Sequence, residues 1–102
     1  MKSVWKYQLE LTGNDQAVEM PLGSDVLECQ IDPTGSITIW ALVGSTDPES
    51  LQVVRWFVIR GTGHPIESDA MRWIGTVQQG PLVWHVFECL EVERQRTPEL
   101  SS

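Results

Sequence analysis

The chain has 102 residues, is 41% hydrophobic, and carries fourteen acidic side chains against seven Lys and Arg, for a formal charge of −7. That length fits one domain with one modest core, and the hydrophobic fraction excludes a disordered chain. A surface so acidic repels nucleic-acid backbones and anionic membranes, so neither is an expected partner. The acids are scattered singly except in "ECLEVE", which argues against a mimic of nucleic-acid charge. No apolar run approaches the ~18 residues of a membrane span. The opening "MKSVWKYQLE" lacks the apolar stretch of a secretory signal, so the expected location is the cytoplasm. Cys29 and Cys89 are the only cysteines; far apart in such a chain, they read as buried thiols. Without a Cys-x-x-Cys pair or a cofacial cluster of His and carboxylates, no metal and no cofactor is expected.

Period-two alternation runs through the chain. In "VWKYQLEL", Trp5, Tyr7, Leu9 and Leu11 point one way and Lys6, Gln8 and Glu10 the other, which is a half-buried strand. "TGND" turns the chain, and short strands follow at "AVEM" and "DVLECQI", with a break or bulge at Pro21 and Gly23. "DPTG" at 32–35 is a hairpin turn, with Pro33 preset for the second position and Gly35 free to take positive φ. "SITIWALV" places Ile37, Ile39, Ala41 and Val43 on one face, and its other face is also largely apolar, as in a central strand. After the polar loop "GSTDPES", three more strands are expected in "LQVVRWFVIR", "RWIGTVQ" and "PLVWHVFECL", the last two joined at "QQGP". Glu67, Ser68 and Asp69 suit the first turn of one short helix. The expected fold is all-β and mainly antiparallel: a small sandwich or barrel of about seven strands with at most one short helix. A single domain spans 1–90, and 91–102 forms a polar, frayed tail.

The most unusual stretch is Gly61-Thr62-Gly63-His64-Pro65. Its glycines permit backbone dihedrals that a Cβ forbids, and successive N–H groups in such a loop can form an anion-binding concavity. Thr62 adds a hydroxyl, Pro65 holds His64 extended, and Arg60 and Arg72 bracket the loop as charge partners for a phosphate. The same residues also serve a plain chain reversal, with His64 bonding a carbonyl. Neither Gly-x-x-x-x-Gly-Lys nor Gly-x-Gly-x-x-Gly is present, so this is no nucleotide P-loop. His85 shares a strand face with Val83 and Phe87, opposite Glu88, and reads as a hydrogen-bonded core histidine. His64 and His85 are followed at the third position by Ile66 and Phe87, so the His-x-Ser/Thr pattern of two-histidine phosphodiester cleavage is missing. No nucleophile elbow exists, and no catalytic residue is expected. Among the five tryptophans, Trp73 is the candidate stacking platform, whereas Trp5, Trp40 and Trp84 suit a core or an interface. Strands apolar on both faces imply a homo-oligomer.

The segments "WKYQL", "EMPLGSDVLECQ", "WALV", "GTGHPI", "WIGTV" and "VWHVFE" resemble an uncharacterised family of small phage and prophage proteins over residues 4–88. The 44–50 loop and the acidic tail after Glu88 depart from that pattern. The resemblance implies a compact, β-rich, phage-encoded protein of the infected cell's cytoplasm, and no activity. Together these readings lead to a non-enzymatic binder of a small anionic, nucleotide-like ligand, held by Arg60, Gly61, Thr62, Gly63, His64, Arg72 and Trp73. By analogy with other phage proteins, it would sequester a nucleotide-derived immune signal. The alternative is an acidic inhibitor that masks a host defence or nucleic-acid-binding protein.

Overall fold

The computed structural model describes residues 2–44, 51–66 and 70–90. Seven strands form: β1 (Ser3–Gln8), β2 (Gln16–Pro21), β3 (Asp25–Ile31), β4 (Ile37–Val43), β5 (Gln52–Gly61), β6 (Met71–Gln79) and β7 (Leu82–Cys89). They make two sheets, in the orders β1-β4-β3 and β2-β5-β7-β6, and every pairing is antiparallel. The architecture is thus an open sandwich rather than a closed barrel. Among the described residues there is no helix; the expected turn at Glu67–Asp69 and the loop at 45–50 lie outside them, as does the tail from 91 on.

The alternation in the sequence is what builds the layers. Ile37, Ile39 and Ala41 of β4 are buried against Phe57 and Ile59 of β5, Val86 of β7 and Met20 of β2. Burying side chains of this size contributes about 1.5–3 kcal/mol each. β4 is central, as its two-sided apolar character requires. Tyr7 of β1 and Leu9 just after it join the core, but Trp5 remains 39% exposed and Leu11, farther past the strand's end, is also exposed. The core reading of Trp5 therefore fails: β1 is an edge strand of its sheet, and no described strand pairs with its other side.

Positive φ occurs only at glycines among the described residues, and each marks a reversal. Ser24 N–H donates to Pro21 O, with Gly23 at φ 81°, and His64 N–H donates to Gly61 O, with Gly63 at φ 90°. In both, a glycine sits at the third position of a type II turn, where a side chain would be strained. Gly80, at φ 60°, opens the two-residue β6–β7 loop as a type II′ hairpin requires, and Pro81 completes it.

The two sheets approach most closely along β3 and β6. A bulge in each strand, at Val26/Glu28 and at Trp73/Gly75, re-aims the flanking side chains. A Cβ on Gly75 would stand 2.7 Å from Cys29 Sγ, so this approach requires glycine. The bulge also sets Arg72 opposite Glu88 on the inner face, leaving Trp73 outside beside Phe87. Glu88 is buried at that end of the sandwich. Arg55 Nε and Nη2 donate to its two oxygens at 2.7 and 3.0 Å, and Arg72 Nη2 donates at 2.8 Å. Arg55 Nη1 also donates to Ser24 O. This triad closes one end of the core; the glycine-rich turn lies at the other.

Candidate functional site

At the open end, the turn 61–64 is locked by two reciprocal bonds. His64 N–H donates to Gly61 O at 3.0 Å, and Gly61 N–H donates to His64 Nδ1 at 3.1 Å. The second bond makes Nδ1 an acceptor, so the proton of the neutral ring sits on Nε2 and the exposed edge of the imidazole is a donor. Gly61 keeps the turn close-packed: a Cβ there would stand 3.0 Å from His64 Cε1 and 3.3 Å from the Trp84 ring, so both would have to shift. His64 thus lies exposed against the backbone, close to an inward-facing tryptophan.

Between this turn and the 11–13 segment lies a cleft of about 490 Å³. Its apolar walls are Leu11, Ile59, Pro65 and Trp84, and its polar groups come from Arg60, His64 and the 12–13 backbone. Arg60 is steadied by donation from Nη1 to Gly13 O at 3.0 Å. The cleft offers a flat apolar surface, a guanidinium and an imidazole N–H. A planar ligand with an anionic group matches that set, since guanidinium and N–H donors bind anions most strongly where an apolar wall limits water. A smaller hollow of about 370 Å³ lies on the other flank of the turn, lined by Thr62, Pro81, Leu82 and Val83 together with His64 and Trp84.

The residues expected to form one site therefore separate. Arg60, His64 and the Gly61 backbone come together. Thr62 turns outward, where its hydroxyl meets His85 Nε2 at 2.8 Å. Gly63 is exposed, and its role in the turn is its φ. Arg72 is committed to Glu88 at the opposite end of β7, so it does not flank the loop as expected. Trp73 is 60% exposed, as a stacking platform requires, but it stands on the outer face of the four-stranded sheet. The core reading of His85 is also corrected. The ring is half-buried on that outer face, and Nδ1 meets Thr76 Oγ1 at 3.0 Å. Trp73 Nε1 donates to the same Thr76 oxygen at 3.1 Å. The hydroxyl partners missing from the local sequence come instead from the turn and from β6.

The reading of the cysteines as buried thiols holds. Both cysteines are free and buried, and burial pushes each thiol up to about 11. Among the described residues no group of three or more His, Cys, Asp or Glu could hold a metal, and no helix is long and apolar enough to cross a membrane. Glu88 is held below the usual carboxylate range. Burial alone would raise it, but the bonds and charges of Arg55 and Arg72 outweigh that. Asp32 is lowered as well, by hydrogen bonds from Thr34, Gln8 and Ser36 that pin the β3–β4 hairpin.

A family model matches residues 1–97. The chain belongs to DUF7352, a family described as a domain of unknown function. That membership covers every described strand and the turn. No curated protein and no solved structure matches the chain.

Proposed function

We propose that this DUF7352 member is a non-enzymatic binding protein whose end cleft takes a small anionic, nucleotide-like ligand. The observation that carries the reading is the convergence of Arg60 and His64, whose Nδ1 is taken by the Gly61 amide, on a cleft lined by Trp84, Pro65 and Leu11. The indole ring offers a face for a planar base, and the guanidinium and imidazole offer donors for a phosphate. In the phage setting implied by the sequence resemblance, the ligand would be a nucleotide-derived immune signal of the host, sequestered in the infected cell's cytoplasm. The outer face of the four-stranded sheet carries Val54, 39% exposed, and half-buried Trp56. Self-association there would cover both and produce the homo-oligomer.

Calorimetric titration with cyclic and linear nucleotides tests the reading. Heat is expected with at least one of them at about 100 μM protein, and Arg60→Ala should weaken that binding about tenfold. No heat with any nucleotide would refute it. The net charge of −7 favours a second reading, an acidic surface that masks a basic site on a host protein. That reading predicts a stoichiometric basic partner in a pull-down, insensitive to Arg60→Ala.

A further inference from the structure

We infer that the groove between β3 and β6 is a saccharide-binding site, with Trp73 as its stacking surface, separate from the end cleft. It is a concavity of about 540 Å³, open along its length. Trp73 and Leu27 are its exposed apolar residues, 60% and 49% accessible, and Ile74 and Gly75 belong to its β6 wall. The remaining polar lining is Gln30, Gln78 and Thr76, with a single carboxylate, Glu28, whose Oε2 accepts from the Gln30 amide.

Trp73 is exposed but its side chain is anchored. Its N–H is tied to Thr76 Oγ1, Thr76 to His85 Nδ1, and His85 Nε2 to Thr62. A bulge at Trp73/Gly75 sets the strand carrying it. A large apolar ring held in one orientation, in water, is a preorganised contact surface: the ordering cost of binding is met in advance.

The ligand class follows from what faces that ring. Among the described lining residues there is no cation, and the chain carries a charge of −7, so an anion has nothing to neutralise it. An apolar ligand would cover the amides of Gln30 and Gln78, each of which makes one bond of its own, to Glu28 and to Gly80 O, and has donor and acceptor capacity to spare. Amides and hydroxyls both donate and accept, and they match a ligand whose own rim does the same. A neutral pyranose has such a rim of hydroxyls. It also has a face of C–H bonds, weakly positive, that suits the negative face of an indole. An added peptide strand is disfavoured, because both groove strands carry bulges that interrupt a regular pairing edge.

The test is two-dimensional amide NMR of the full chain, following the indole N–H signal that disappears in Trp73→Ala. The probes are cellotriose, maltotriose and tri-N-acetylchitotriose, each at about 10 mM, ten times a 1 mM Kd, with AMP as the anionic planar control. At least one trisaccharide is expected to shift that signal saturably. Gln78→Ala, at an exposed position, should weaken its binding about tenfold or more. The trisaccharide should leave no saturable shift anywhere in the spectrum of Trp73→Ala. Failure of all three trisaccharides to move the signal overturns the assignment, as does a shift that AMP alone produces. Saccharide shifts elsewhere in the spectrum that persist in Trp73→Ala overturn it too. Arg60→Ala leaves the saccharide shift intact, so this result and that of the end cleft are read independently.

Discussion

Replacing Glu88 by Gln should be among the most damaging single changes outside the aliphatic core. The carboxylate is 5% exposed and takes three charge-assisted bonds, two of them a fork from Arg55 at 2.7 and 3.0 Å. The Arg55 side chain is itself only 18% exposed, so without Glu88 its charge is left in a desolvated site with Ser24 O as its other partner. Breaking a buried pair from one side costs about 3–5 kcal/mol; the lower end applies here because the amide oxygen keeps one acceptor. In a domain of this size each kcal/mol moves Tm by about 4–8 °C, so the midpoint should fall by about 12–24 °C. Arg72→Ala provides the contrast. Its side chain is 47% exposed, and its loss should cost about 1 kcal/mol or less. Thermal and urea unfolding of the two variants measure both figures. A loss of under about 1 kcal/mol in Glu88→Gln would show that the cluster behaves as a surface pair, and the reasoning from burial would fail.

Glu88 and the hairpin residue Asp32 set the acid response. Glu88 and Asp32 both have folded-state pKa values below their usual 4.5 and 3.8, so their contribution is complete above those values and is lost as pH falls through the folded ones. Urea midpoints should therefore be flat from about pH 7 to about pH 5 and drop below that, less steeply in Glu88→Gln. Gly75→Ala should cost about 1–3 kcal/mol, from the overlap of its new methyl with Cys29 Sγ. Cys29→Ala should relieve part of that cost, giving a non-additive cycle in denaturation experiments. A thiol reagent at about pH 8 should modify neither cysteine in the folded protein and both in urea, because burial holds each near 11. Gly61→Ala should weaken nucleotide binding in calorimetry about tenfold, since the new methyl pushes on the rings of His64 and Trp84.

The strands were legible because their pleat writes itself into the sequence every second residue. Ile37, Ile39, Ala41 and Val43 needed no long-range information to be assigned to the core. His85 did. Its parity was correct, beside Phe87 and opposite Glu88, but parity does not say which face of a sheet another sheet covers. The partners Thr62 and Thr76 become visible only once the β6–β7 and β5–β7 registers are set. Arg72 does not flank the loop because β5 and β6 both run antiparallel to β7: Gly61 pairs with Trp84, whereas β6 starts at the other end of β7, where Arg72 faces Glu88. The cleft wall at Leu11–Gly13 comes from the far end of the chain, across a sheet edge, where periodicity carries no signal.

The glycine content of residues 61–65 is a poor guide to anion binding. Gly63 is favoured by its φ and Gly61 by the close approach of the His64 and Trp84 rings, so both are explained without a ligand. Two of the turn's amides, those of Gly61 and His64, are spent inside the turn. The amides of Thr62 and Gly63 donate to no described residue, but they sit on an exposed rim where water satisfies them equally well. The anion reading therefore rests on side chains: the Arg60 guanidinium and the His64 edge that the Gly61 bond leaves as a donor. It follows that Thr62→Val, which alters the turn's hydroxyl and not its backbone, should leave nucleotide binding intact, while Arg60→Ala should not.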